Sequence, residues 1–259
     1  MGIKGSKKNL GLILSGQPVL VSSANIYVTQ PKIKDIVMFG EDDFFTAVQL
    51  LVDLTQFSEM IKKGNSDLAI YSDFQLLLMI ISEDATVKNL VNKLFEILFP
   101  EYIVNITEST IDFSINQEGE EKTIIIGRLY PFNYEEFQNT LSDLFIPKAD
   151  NEREPDYNPA NEAAQKIMEK IKWGREKVHA QKTTSKEEHS IFADYCSILS
   201  IGMNMDINIF FNYTSFQLYD AYRRYFAKVA SDFYMRISSM PMMDTSKMEV
   251  PPEWHRTLY

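Results

Sequence analysis

With a single cysteine in 259 residues, the chain cannot form an internal disulfide, a cysteine-rich zinc site or an iron–sulfur cluster of its own. That scarcity predicts a reducing compartment. The three histidines, His179, His189 and His255, offer no i,i+4 pair on a helix for a metal. The longest strongly apolar run, Leu76 to Ile81, is far below the roughly 20 residues that cross a bilayer. Nucleotide and metal motifs are also missing: no GxGxxG follows a strand, and neither GxxxxGK[ST], HExxH nor CxxC occurs. Without these constellations the chain is expected to be non-enzymatic and to need no cofactor or metal.

The N-terminus contains one pattern that imitates a targeting signal. Lys4, Lys7 and Lys8 precede Leu10–Leu14, but Gly11 interrupts that stretch and Ser15-Gly16-Gln17-Pro18 ends it too early for a signal-peptide core. Gly2 with Ser6, followed by Lys7-Lys8, also fits an N-myristoylation pattern. A flexible Gly/Lys-rich terminus is the simpler expectation.

What the chain does have is acid and aromatic side chains. Lys and Arg number 26 against 36 Asp and Glu, a net charge of -10, with 45% hydrophobic and 12% aromatic residues. Such a composition buries a core, and the negative charge disfavours nucleic acid and anionic membranes as partners. The acidity is uneven: residues 1–147 hold 11 basic and 20 acidic residues, net -9, and residues 148–259 hold 15 and 16, net -1. Pro147 to Pro159 is a polar run with three prolines, the best boundary in the chain. The expected class is α+β: an N-terminal α/β domain over 1–147 with a small antiparallel meander, a linker over 148–159, an α-helical domain over 160–240, and an extended tail over 241–259.

In the first half, Ile26–Thr29 reads as a strand, Ile33, Ile36 and Val37 as a short helix stopped by Gly40, and Phe44, Phe45, Val48, Leu51 and Val52 as the stripe of the next helix. Glu41, Asp42 and Asp43 open that helix, where acids meet the positive end of the dipole; a metal or general-acid role is the weaker reading. Ser66-Asp67 is expected to start a helix carrying Leu68 to Ile81, and Asp84 to cap another with Val87, Leu90, Val91, Leu94, Phe95 and Leu98 on one face. Residues 102–107, 111–116 and 122–127 predict three antiparallel strands, with the acidic 118–121 tip as a solvated turn. Asn133 is expected to cap a helix over Tyr134–Phe145.

In the second half, helices are expected over Ala160–Gln181, from a Ser185/Glu188 capping box to Gly202 with Ile191, Tyr195, Ile198 and Leu199 buried, from Asp206, and from Thr214 or Ser215 to about Met240. Cys196 follows His189 by seven residues, with Asp194 nearby, but a separation of roughly 10 Å along a helix forbids proton sharing. Cys196 is therefore expected in the core. Arg223, Arg224 and Lys228 lie among Asp220 and Asp232 and read as solvated helix charges or a protein contact.

The last helix is aromatic on more than one side, and such a helix sits between others or meets a partner. Tyr222, Tyr225, Phe226, Met242, Met243, Trp254 and Tyr259 are the candidate partner-binding residues. Two alternatives stay open for Trp254 and Tyr259: they fold back as staples, or they are offered to another chain. The methionines near the C-terminus likewise fit either core filling or an adaptable groove.

The phrases Gln30-Pro31-Lys32-Ile33-Lys34-Asp35-Ile36 and Phe39-Gly40-Glu41-Asp42-Asp43-Phe44-Phe45 resemble the opening of a family from long-tailed phages of Gram-positive bacteria. Asn133–Phe137, Lys166–Lys177, Ser190–Tyr195, Met205–Ile207 and Thr214–Tyr219 are similar to its second half. The resemblance implies a tail assembly chaperone that binds the tape-measure protein and tail-tube subunits, or self-associates, in the host cytoplasm. It also leaves a structural component of the tail, neck or baseplate as the alternative, because the first domain is more elaborate than the small helical chaperones.

Overall fold

The computed structural model describes residues 7–54, 71–117, 123–145, 190–240, 250–251 and 253–255. The expected linker, the helix over Ala160–Gln181, the Ser185/Glu188 box, the 118–121 tip, and Met242, Met243 and Tyr259 lie outside them.

The stretch that imitates a signal core is a helix, α1 (Lys7–Ser15), with Ile13 buried. Gly16 closes it at φ +72°, the left-handed turn glycine adopts without strain. Distant side chains satisfy its last carbonyls: Gln30 Nε2 donates to Leu12 O at 3.3 Å, and Gln217 Nε2 to Leu14 O at 2.7 Å. Strands β1 (Val19–Val21) and β2 (Ile26–Val28) form an antiparallel hairpin that buries Val19, Val21, Ile26 and Val28 and turns Leu20 and Tyr27 outward. Only β2 is expected from the sequence; three residues of β1 make no periodic signal until their partner is known.

Helices α2 (Ile33–Phe39) and α3 (Glu41–Val52) break at Gly40, as expected. Phe44, Val48 and Leu51 are buried, Phe45 and Val52 partly so, and Glu41, Asp42 and Asp43 occupy the first turn of α3. The expected helix carrying Leu68 to Ile81 is not continuous through Tyr71 and Ser72: α4 spans Asp73–Glu83, and the expected start at Ser66-Asp67 lies outside the described residues. Ser72 is extended, and its hydroxyl accepts the Gln75 N–H at 3.3 Å while Gln75 Oε1 accepts the Ser72 N–H at 2.9 Å. That capping box satisfies two orphan donors and so sets the start. Asp84 caps α5 (Ala85–Leu98) by accepting from Thr86 and Val87 N–H at 2.8 and 3.2 Å.

Strands β3 (Ile103–Ile106), β4 (Ile111–Asn116) and β5 (Thr123–Leu129) make the expected meander, in that spatial order. Phe113 pairs with Gly127 and Ser114 with Ile125, so β5 carries Ile126 as an extra residue. The β1–β2 turn rests on this bulge: Arg128 N–H donates to Ala24 O at 3.1 Å, and Asn25 Nδ2 to Ile126 O at 2.8 Å.

Helix α6 (Tyr134–Phe145) follows, but Asn133 does not cap it with its side chain. Its buried amide ties its own loop to the end of β5 and the β1–β2 turn instead, accepting the Tyr130 N–H at 2.7 Å and donating to Arg128 O at 2.9 Å and Ser23 O at 3.1 Å. Burial makes those partners obligatory, and they outweigh a cap that water can replace. Glu136, in the first turn of α6, accepts the Ser22 and Ser23 N–H groups at 3.0 and 2.9 Å. Partial burial opposes its ionisation, but the bonds from Ser23 and Ser22 prevail and hold its carboxyl below the usual range. A depressed value means that this stabilisation is present above the ordinary glutamate value and is lost as pH falls through the folded one. Glu136→Gln is expected to cost on the order of 1 kcal/mol at neutral pH, after screening by solvent. Urea midpoints measured from pH 7 down to 3 should show that difference shrinking in acid.

Helices α7 (Ile191–Met203), α8 (Ile207–Phe211) and α9 (Ser215–Ser238) complete the described helices. Of the residues expected to bury in α7, Leu199 does and Tyr195 does partly, whereas Ile191 and Ile198 are exposed. The buried stripe is Phe192, Cys196 and Leu199, which turns the larger ring inward. Gly202 does not end α7; Asn204, at φ +53°, follows its last residue. A Cβ on Gly202 would lie 2.2 Å from the Tyr225 ring, so this glycine serves a close helix crossing. Asp206 and Thr214 cap α8 and α9, the latter in a capping box with Gln217.

These helices do not form a domain of their own. The chain divides into one unit of Met1–Pro147 with Phe192–Tyr259 and another of Lys148–Ile191. Phe192, Cys196, Leu199, Phe210 and Leu218 share one core with Phe44 and Phe145. The Phe45 and Phe192 rings lie 5.6 Å apart, and Ile33 N–H donates to Tyr213 O at 2.8 Å. The expected separate domain over 160–240 is corrected for its described part, Phe192–Met240, whose helices bury apolar faces in the first core instead; residues 160–189 lie outside the described residues.

Candidate functional site

Helix α9 carries three of the candidate residues. Tyr222 stacks on Tyr195 of α7 with centroids 4.2 Å apart and planes 26° apart, and the Phe226 ring lies 4.6 Å from Tyr222. Tyr225, over Gly202, is half-buried, so its position is fixed by the crossing of α7 and α9. Phe226 is 45% exposed, and beyond it Val229, Phe233 at 58%, Met235 and Met240 are open to water. Ile201 at 81%, Met203, Met205, Ile207 and Ile209 extend an exposed apolar population along α7 and α8. Isolated exposed apolar residues are ordinary, but large ones repeated along neighbouring helices mark a contact surface.

The charges on α9 are engaged along the helix. Arg224 Nε donates to Asp220 Oδ2 at 2.8 Å, Lys228 Nζ to Asp232 Oδ2 at 2.9 Å, and the Arg223 guanidinium lies 5.7 Å from the Tyr219 ring centre. These are i,i+4 helix pairs, as the spacing implies.

Arg224 Nη1 also donates to Trp254 O at 3.1 Å. Trp254 is thus folded back on α9, and with Leu14, Tyr213, Gln217 and Tyr225 it lines a cleft of about 720 Å³. The bond holds the Trp254 backbone, while its side chain is 41% exposed.

Cys196 is fully buried, as expected. Burial, and secondarily the charge of Glu41, pushes its thiol up to about 11. A thiolate is the reactive form, so a native chain at pH 8 should fail to reduce Ellman's reagent and should release one equivalent only on unfolding. Prompt reaction in the folded state would show an accessible thiol. His189 lies outside the described residues. Among the described residues no three His, Cys, Asp or Glu side chains converge on a metal position, and no helix is long and apolar enough to cross a membrane.

No protein-family model, curated protein or solved structure matches this chain. The fold is α+β, with one mixed core and an apolar surface on its last three helices. Val229 and Phe233 are among the surface residues that the candidate set lacks; their spacing from Phe226 is the signal that finds these two.

Proposed function

We propose that this chain is a non-enzymatic protein of phage tail morphogenesis, a tail assembly chaperone that binds the tape-measure protein and tail-tube subunits in the host cytoplasm. The observation that carries the reading is the run of exposed large apolar residues on α9, Phe226, Val229, Phe233 and Met235. Leaving them in water is unfavourable at about 25 cal/mol per Å², and a partner that covers them recovers that free energy. A chaperone requires such a surface because its client shields it only transiently. The short phrases that resemble the phage family suggest the client.

A permanent tail, neck or baseplate subunit also needs contact surfaces, and copy number separates the two. Quantitative mass spectrometry of tail-assembly intermediates and of mature virions is the test. The chaperone reading predicts the chain with tape-measure protein in intermediates and its absence from mature particles. An abundant, fixed copy number in virions would replace it with the structural reading.

A further inference from the structure

One line of residues along α9 follows a rule that burial alone does not require. Tyr219, Tyr222, Phe226, Val229, Phe233 and Arg236 are separated by 3, 4, 3, 4 and 3 residues, and Met240, just past the helix end at Ser238, continues the spacing in sequence. That is the seam spacing of a helix that packs along another helix with knobs in holes. Its first members are covered within the chain, with Tyr222 on Tyr195, and the seam then emerges: Phe226, Val229, Phe233, Arg236 and Met240 are all exposed. Within the helix, over residues 226–238, it runs about 18 Å at 1.5 Å per residue, a little under two heptads.

Charge selects the occupant. Residues 215–240 hold Arg223, Arg224, Lys228 and Arg236 against Asp220 and Asp232, a net of +2 in a chain of net -10. Arg236 stands on the seam itself, between Phe233 and Met240. In a parallel, in-register pair of copies Arg236 would face Arg236, and in any pairing two net-positive helices would adjoin. The two half-open phenylalanines of the seam with Val229 and Met240 also offer only on the order of 300 Å², less than half of what each partner of a stable dimer buries. We propose that this seam receives one amphipathic helix of another protein, with apolar residues at the same 3,4 spacing and a carboxylate opposite Arg236. The inference deepens the proposed function, since it rests on the partner-binding reading and names the surface and the chemistry of the client.

The test uses the full chain and two fluorescent 21-residue heptad peptides, with Leu at the seam positions and either Glu or Lys on the flanks, read by anisotropy. The Glu-flanked peptide is expected to bind at least tenfold more tightly than the Lys-flanked one. Phe226→Glu with Phe233→Glu should weaken it tenfold or more, and Arg236→Glu, an exposed change that leaves the core intact, should invert the preference. Equal binding by all chains, or no binding of either peptide by the wild type, overturns the proposal. So does sedimentation showing a wild-type dimer that Phe233→Glu dissociates. Capture of tape-measure protein from infected cells separates the two levels. If the wild type and the seam variants capture it equally, the surface assignment fails and the functional reading stands. If the wild type binds the Glu-flanked peptide but no tail protein, the functional reading fails and the surface assignment stands.

Discussion

Gly127→Ala is expected to destabilise the chain by about 1–3 kcal/mol, and Gly127→Val by more. A Cβ at this position would stand 2.4 Å from Ile26 Cγ2, 2.7 Å from Ala24 O and 2.9 Å from Asn25 O. Two of those three atoms are backbone carbonyls, so relief requires the β1–β2 turn to lift from β5 rather than a rotamer to change. Lifting it stretches the Arg128 N–H to Ala24 O bond and the Asn25 Nδ2 to Ile126 O bond together, and it moves Ser23 O away from Asn133. Urea unfolding measures the effect. A loss of less than about 0.5 kcal/mol, the ordinary range for a surface change, would show that the turn is not seated on the bulge as described.

Phe99→Ala should cost about 3–5 kcal/mol, the usual loss for deleting a fully buried ring. Phe99 caps the C-terminus of α5, and its ring lies 5.6 Å from Phe95, 4.7 Å from Phe113 and 6.3 Å from Phe137. One side chain therefore joins a helix, the meander and α6. If the core is continuous through Phe44, Phe145, Phe192 and Leu218, the loss is global. Amide hydrogen exchange under native conditions should then show the slowest amides of α9 losing protection along with those of β4. Unchanged protection in α9, with loss confined to the meander, would restore the separate helical domain that the sequence suggests.

The features legible in the sequence are those decided within a turn or two of chain. Gly40 between two helices, the Asp84 cap, the Thr214 cap and the alternation of Ile111–Asn116 each rest on neighbours in sequence. The corrected features depend on distant partners. Asn133 has the side chain of a helix cap, but its oxygen accepts the Tyr130 N–H while its NH2 group is held by Ser23, 110 residues away. Gly202 has the look of a helix end, but its missing side chain admits Tyr225. The domain boundary drawn from prolines at 147–159 says nothing of where the chain returns, and the described helices after it return to the first core. In the candidate surface, composition points to α9 through Tyr222, Tyr225 and Phe226. The heptad spacing through Phe233 and Arg236 becomes informative only once exposure separates it from the buried side of the same helix.

The most direct test of the account places a photo-crosslinking amino acid at Phe233 of the full chain, expressed during phage infection, and identifies the adducts by mass spectrometry. The predicted result is a cross-link to a helical segment of the tape-measure protein. Adducts only to a second copy of the chain, or to proteins outside the tail, would contradict it.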